Sequence, residues 1–276
     1  MIRYIKTIQD YKNLCNQYVS HGQYVFRGQS NEKWSPLPTA YRICSNVKCP
    51  SIEKAFVDRF IRHLQENGYH NFSCELNQFD FLTKPTEIFP TEEMLPYWAI
   101  AQHYAFDSYI PGVKTSLLDV THNLDIAAYF AVEENTKEEA NGKIFIFDTS
   151  TRKDPYNYYE PLGDSRIEAR LVIQDCAFIY RVQTCEHASE HEPYKNKESF
   201  DDIVIDTITI QKELKPQLKE HLRNKLFELF MYPRLILRQV TPSLATAGQH
   251  SFEELKEINK PAVDRAEKLG DIHSDY

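Results

Sequence analysis

The most constraining feature of this 276-residue sequence is a short segment, residues 122–134, that is apolar on nearly every side. A helix on a protein surface carries apolar residues on one face, whereas a helix that is apolar all round must be buried. We therefore predict a central, buried helix over residues 122–134. The Asn141-Gly142 pair that follows is typical of a turn, and it leads into KIFIFD, which predicts a strand. The apolar residues of the helix are Leu124, Ile126, Ala127, Ala128, Tyr129, Phe130, Ala131 and Val132.

Weaker patterns predict the other elements. Apolar residues at i+4 spacing predict an amphipathic helix over Ser51–Asn67, and Lys84-Pro85 and Phe89-Pro90 favour a loop or lid over 69–90. A helix over 212–230 tolerates Pro216 only in its first turn. The remaining predictions are helices over 6–19 and 92–105, and strands over 23–27, 143–148, 170–174, 177–183 and 203–210.

The order of these elements favours an α+β fold, because several helices precede most of the strands. We predict a single α+β domain over residues 1–240, with the helices before 135 packed on a mainly antiparallel sheet. That sheet is expected to form after residue 140 and to be joined by the strand that carries Arg27. Residues 241–276 are a polar tail, in which a capping box at Ser251 to Glu254 predicts a peripheral helix.

Composition narrows the class of function. A hydrophobic content of 42% suits an ordinary globular core, and a net charge of -8 disfavours a protein that coats nucleic-acid backbone. Neither a signal peptide nor a membrane-spanning run is visible in the sequence, and the six cysteines are too sparse for a disulfide scaffold. We therefore expect a cytoplasmic protein with reduced thiols and no membrane partner.

The stretch QYVFRGQSNEKWSPLPTAYR, residues 23–42, places Arg27 at the end of a short apolar run. Arginine carries a planar fork of donors that stays charged and matches phosphate or carboxylate groups bidentately. Gln29 and Arg42 add further donors nearby. Two interpretations stay open: Arg27 closes an internal ion pair, or it presents its guanidinium to an anionic ligand.

Gln102 and His103 lie near the end of the predicted helix 92–105, in the sequence AIAQHYAF. We expect Ala99, Ile100 and Tyr104 to pack while Gln102 and His103 point elsewhere. An imidazole can transfer a proton near neutral pH, so His103 is a candidate general base. The alternative is a histidine of the core.

Asp119 and Thr121 lie just before the buried helix, in TSLLDVTHN. Either residue can cap that helix, or Asp119 can orient His103 or Arg27. Gln174, in ARLVIQDCAFIYRV, separates two strand-like runs and is either a ligand-binding residue or a turn glutamine.

One metal-site pattern, HASEH at His187 to His191, fits the H-x-x-E-H motif of a group of zinc proteases. Its surroundings have almost no apolar residue that would anchor a helix over a metal, so we predict no metal site. The Gly-rich phosphate loops of common nucleotide-binding proteins are absent from the sequence.

Several short motifs, taken together, resemble the FRG domain family. These are Phe26-Arg27-Gly28 with Gln29, the sequence AQHY, the sequence LLD-x-T that leads into AAYFAVE, and the spacing R-x-x-x-Q-x-x-x-F at Arg170, Gln174 and Phe178. The likeness covers about residues 20–183 and implies a domain of bacteria and their mobile elements. The ligand-binding candidates that we take from the polar residues of these motifs are Arg27, Gln29, Arg42, Gln102, Thr121, Arg170 and Gln174.

A more distant resemblance is to ADP-ribosyltransferases. In those enzymes an early strand ends in an aromatic-Arg-Gly sequence whose arginine holds a phosphate of NAD, and this resemblance assigns that role to Arg27. A late strand carries the catalytic glutamate; here Arg170 occupies that position, with Glu168 two residues earlier. The resemblance thus makes Glu168 a catalytic candidate. Together with His103 as general base and Asp119, which would hold the imidazole or the guanidinium in position, it completes the set of catalytic candidates.

From these patterns we predict a polar pocket for an anionic nucleotide or nucleotide sugar, with NAD as the first candidate substrate and no required cofactor. Catalysis like that of an ADP-ribosyltransferase is one interpretation. The alternative is a non-catalytic module of a bacterial defence or toxin system that senses a ligand or binds a protein partner. Arg170 in the glutamate position and a run of basic residues from Lys212 support this alternative.

Overall fold

In the part of the chain that the structure describes, seven strands form the main sheet, in the order β1-β9-β5-β2-β4-β7-β6. A computed structural model describes residues 2–18, 23–38, 88–89, 95, 98–99, 102, 115–133, 140–150, 156–160, 175–181, 183–184 and 200–226. The strands are β1 (Ile2–Ile5), β2 (Tyr24–Gln29), β3 (Ile88–Phe89), β4 (Leu118–Thr121), β5 (Gly142–Asp148), β6 (Tyr156–Tyr159), β7 (Cys176–Arg181), β8 (Gln183–Thr184) and β9 (Val204–Ile210). The helices are α1 (Ile8–Tyr18), α2 (Leu124–Val132) and α3 (Lys215–Leu226), with single 3-10 turns at Phe200–Ile203 and Lys212–Leu214.

The pairing of the main sheet is antiparallel except at one edge, where β1 runs parallel to β9. The short strands β3 and β8 form a separate antiparallel pair. The predicted α+β class with a mainly antiparallel sheet is therefore confirmed. The Arg27 strand, β2, joins this sheet as predicted. Strands β1 and β4 also precede residue 135, so the rest of the sheet does not form only after residue 140.

One face of the sheet is covered by the three helices. Seven of the nine residues of α2 are buried, as its all-round apolar pattern predicts. Gly28 of β2 lies directly beneath α2, where an added Cβ would be 1.7 Å from the carbonyl oxygen of Ala127. The lack of a side chain at residue 28 therefore lets the helix pack against the strand backbone.

The opposite face carries a second apolar cluster. Side chains alternate along a strand, so Phe26 lies on the helix-covered face while Val25 lies on the other. Phe145 and Phe147 of β5 follow the same alternation, and Phe200 from a 3-10 turn packs with them. The sheet is thus buried on both faces around β2 and β5.

Helix α2 begins at a different cap from the ones predicted. The Asn123 side-chain oxygen accepts hydrogen bonds from the backbone N–H groups of Asp125 and Ile126, at 2.9 and 3.4 Å. Capping by Asp119 or Thr121 is therefore wrong, because both lie within β4, too far before the first turn of the helix.

Two other predictions have clear outcomes. Pro216 is the second residue of α3, in the first turn, as predicted. The run of basic residues from Lys212 includes one that is buried: Lys215 is 6% exposed, and its side chain donates to the backbone oxygen of Ser30 at 2.7 Å. This bond ties the start of α3 to the loop after β2.

The described helices are all too short or too polar to cross a bilayer. The predicted elements over 51–67, 69–87, 170–174 and 241–276 lie outside the described residues, as does the HASEH motif.

Candidate functional site

Arg27 lies where two strand ladders separate. Strand β2 pairs with β5 along its whole length, from Tyr24 to Gln29, but pairs with β4 only at Phe26 and Thr121. Arg27 is the next residue after Phe26, so it lies at the point where β2 and β4 part. Its side chain is 15% exposed.

Asp119 of the neighbouring strand β4 contacts Arg27 at this point. Arg27 Nη1 donates to the backbone oxygen of Asp119 at 2.6 Å and lies 3.8 Å from the carboxylate oxygen Oδ2. The guanidinium is thus paired within the chain, although only loosely with the carboxylate. The other interpretation, an anionic ligand, stays a prediction. The sequence leaves two roles open for Asp119, as a helix cap or as a residue that orients His103 or Arg27. The contact with Arg27 agrees with the second role.

Gln102 extends the contact into a hydrogen-bonded network. Its side-chain amide donates to Asp119 Oδ1, and its oxygen accepts from the hydroxyl of Thr115. The order of contacts is therefore Thr115, Gln102, Asp119 and Arg27, and we refer to these four residues as the Arg27 network.

The position of Gln102 differs from the predicted one. The described helical residues Leu95, Trp98, Ala99 and Gln102 are all buried. Their spacing places them on one helical face. Gln102 therefore points to the same side as Ala99, not away from it, and is 6% exposed.

Two polar atoms of β2 are buried without a partner. They are Arg27 Nε and the side-chain oxygen of Gln29. Gln29 is 4% exposed, and its amide nitrogen donates to the backbone oxygen of Ser35 at 3.3 Å. Buried polar groups are nearly always hydrogen-bonded, so each such atom calls for an explanation.

Arg27 keeps its positive charge although its side chain is largely buried. Burial lowers the pKa of the guanidinium, and the charge of Asp119 opposes this by raising it. Because an arginine pKa starts above 12, the side chain remains a cation at neutral pH. The point where β2 and β4 part thus carries a permanent positive charge and a buried guanidinium nitrogen that has no hydrogen-bond partner among the described residues.

The structure brings together Arg27, Gln102 and Asp119 from the predicted set, and Gln29 follows Arg27 on the same face of β2. Thr121 is 6% exposed on the opposite face, and its hydroxyl accepts from the backbone N–H of Asn123 at 3.0 Å. The other predicted site residues, Arg42, His103, Glu168, Arg170 and Gln174, lie outside the described residues.

Four titratable residues that no sequence motif singles out also lie together on the sheet. We call His122, Tyr158, Glu160 and Asp175 the His122 cluster. His122 Nε2 lies 2.6 Å from the Tyr158 hydroxyl and 3.4 Å from a Glu160 carboxylate oxygen. The backbone N–H of His122 donates to the backbone oxygen of Asp175 at 3.1 Å. Only the pairing of β4, β7 and β6 joins these residues, so a local pattern cannot reveal them.

Two side chains of the His122 cluster, Tyr158 and Asp175, have shifted pKa values. Burial, with the nearby charges of Glu160 and Asp175, raises the pKa of Tyr158, so the phenol keeps its proton at neutral pH. Burial raises the pKa of Asp175, which His122 partly offsets and Glu160 reinforces. Among the described residues, no group of three or more His, Cys, Asp or Glu side chains has an arrangement suited to a metal ion.

Comparison with known proteins gives one match. Residues 22–140 match the family described as FRG domain. The matched segment contains all four members of the Arg27 network. No curated protein and no solved structure matches the chain.

Proposed function

Residues 22–140 match the FRG domain family, and we propose that the Arg27 network is the phosphate-binding end of a pocket for an anionic nucleotide or an NAD-like ligand. Arg27 and Gln29 bind the phosphate, and Asp119 holds the guanidinium in place. Gln102 and Thr115 fix Asp119 in turn. This division of roles follows the order of hydrogen bonds in the network.

The observation that carries the proposal is the unpartnered Nε of Arg27. A guanidinium has five N–H donors in a rigid fork, and a phosphate accepts two of them at once. The contact with Asp119 uses Nη1 and leaves Nε buried and unused. A bound anion would supply the missing acceptor and would offset the cost of burying that donor.

The more specific part of the proposal is that the protein catalyses a reaction of the bound ligand. Transfer of ADP-ribose from NAD needs a carboxylate near the sugar whose bond breaks, because positive charge develops there in the transition state. Glu168 is the candidate for this role and His103 is the candidate general base. Glu168 is assigned from the resemblance to ADP-ribosyltransferases, and His103 from the ability of an imidazole to transfer a proton near neutral pH.

Calorimetric titration with NAD tests the pocket. We expect saturable binding to the wild type and at least a tenfold loss in Arg27→Gln, because a charged hydrogen bond of about 1.5–3 kcal/mol is removed. Arg27→Lys keeps the charge but loses the fork, so it should bind with intermediate affinity. Circular dichroism and thermal unfolding establish that each variant is folded.

Arg3→Gln is the matched control for this titration. Arg3 also lies on a strand and pairs with an aspartate, Asp206, at 3.1 Å, but at the edge of the sheet. Its replacement should leave the affinity for NAD unchanged. Equal affinity in the wild type and Arg27→Gln, or no binding to a folded wild type, contradicts the proposed pocket.

A second candidate function is a non-catalytic module that senses a ligand or binds a protein in a bacterial defence or toxin system. The contact between Arg27 and Asp119 favours it, because the guanidinium charge is already compensated within the chain. Overexpression distinguishes the two. A transferase should be toxic to cells and lose its toxicity with Arg27→Ala, whereas a binding module should leave growth unchanged.

A further inference from the structure

The His122 cluster and Arg27 lie on the same face of the sheet. The registered pair Phe26 and Thr121 faces the helices, and side chains alternate along β2, so Arg27 faces the other way. His122 follows the last residue of β4 and contacts Tyr158 on that same side. The position of Tyr158 agrees, because its ring packs on the apolar cluster of that face while its hydroxyl contacts His122.

Strand register also fixes the distance between the two sites. Arg27 and His122 lie one residue beyond the pair Phe26 and Thr121, in opposite directions along neighbouring antiparallel strands. Two residues along a strand and one strand spacing across the sheet give about 8 Å between their Cα atoms. A phosphate and the hydroxyls of its own ribose, which only a few covalent bonds separate, can span two sites this close.

The chemistry of the His122 cluster suits hydroxyl groups. Glu160 is 43% exposed, so its carboxylate can accept from a ligand as well as from His122. A carboxylate that accepts hydrogen bonds from ribose hydroxyls is a common means of recognising a nucleotide sugar. The Tyr158 hydroxyl and a Glu160 carboxylate oxygen both lie near His122 Nε2, at 2.6 and 3.4 Å, so this ring nitrogen links the two side chains.

We infer that the His122 cluster is the ribose subsite of the pocket whose phosphate end is Arg27, with Glu160 as the acceptor for the vicinal hydroxyls. Tyr158 and His122 are positioning residues that hold Glu160 towards the ligand. This inference rests on the proposed function, and it narrows the ligand class to ribonucleotides with a free 2′,3′-diol.

Two ligands and two variants test the subsite. Affinities of ADP and 2′,3′-dideoxy-ADP are measured by calorimetry for the wild type and for Glu160→Gln. The wild type should prefer ADP by roughly tenfold, the worth of a hydrogen bond to a charged group. Glu160→Gln should reduce that preference to near one while binding dideoxy-ADP as the wild type does. Glu213→Gln, an exposed carboxylate in the turn before α3, is the matched control and should keep the full preference.

The outcomes separate the two proposals. Binding of ADP that depends on Arg27, with no preference for the diol or with a preference that survives Glu160→Gln, overturns the ribose subsite alone. Absence of any binding that depends on Arg27 overturns the proposed pocket, and the subsite with it. As an independent readout, the His122 ring signals in a proton–carbon NMR spectrum, assigned with His122→Asn, should shift with ADP and stay unmoved with dideoxy-ADP.

Discussion

At the scale of single residues, the sheet contains buried charges that water would otherwise solvate. Arg27 stays charged at 15% exposure with one loosely placed carboxylate beside it. Asp175 combines a raised pKa with a positive φ of 47°, a backbone conformation that few residues other than glycine adopt. Arg27 lies within β2 and Asp175 directly before β7, and buried charges and strained backbone of this kind are commonly associated with function.

The raised pKa of Asp175 predicts how a neutral substitute behaves. A carboxyl group with a raised pKa binds its proton more tightly in the folded protein than in the unfolded chain, so ionisation destabilises the fold. That cost is present above the raised folded pKa and disappears below the ordinary value of 3.8. Asp175→Asn should therefore unfold at a higher temperature than the wild type at pH 7.5, and the gap should close towards pH 4. Asparagine also tolerates a positive φ.

Thermal unfolding at the two pH values measures this effect, with Glu213→Gln as the exposed control. A lower unfolding temperature for Asp175→Asn at pH 7.5 would mean that attraction between Asp175 and His122 outweighs the cost of burial. An equal gap at both pH values would show that backbone conformation, not charge, is the cause.

At the scale of elements, periodicity predicts the parts of the fold that have long or strongly apolar patterns. Helix α2 and strands β2, β5, β7 and β9 all appear where the sequence predicts them. Strands β1, β4 and β6 were not predicted, because each has only four residues. So short a run shows too few repeats to distinguish a strand from a turn.

The same reasoning separates the predictable part of the site from the rest. Arg27 and Asp119 stand out because a permanent charge ends one apolar run and an acid interrupts another. Their contact spans 92 residues of sequence, and the His122 cluster draws on three separate segments. Local patterns carry no information on such pairings, which the strand order alone determines.

Packing between α2 and β2 gives a prediction at this scale. In Gly28→Ala the new Cβ would meet the carbonyl oxygen of Ala127 at 1.7 Å, so the helix must move off the strand. We expect a loss of about 3 kcal/mol in the free energy of unfolding, at the upper end of the usual cost of overpacking. Urea denaturation measures it. Adding Ala127→Gly should give no rescue, because the clash is with a backbone atom; full rescue would refute this account.

At the scale of the whole molecule, the segment that matches the FRG family, residues 22–140, does not contain all of the strands that surround Arg27. Residues 22–140 supply β2 and β4, but the long ladder of β2 is with β5 and that of β4 is with β7. Both partner strands come after residue 140, as do Tyr158, Glu160 and Asp175. The unit that positions Arg27 therefore extends beyond the matched segment.

The central claim is that Arg27 binds the phosphate of a nucleotide, and the affinity ratio of ADP to adenosine tests it most directly, because the two ligands differ only in their phosphates. We predict that wild-type protein binds ADP at least roughly a hundredfold more tightly than adenosine, which corresponds to about 2.7 kcal/mol. In a folded Arg27→Gln variant that ratio should fall close to one while the affinity for adenosine stays the same. A ratio near one in the wild type, or a large ratio that Arg27→Gln leaves unchanged, would contradict the claim.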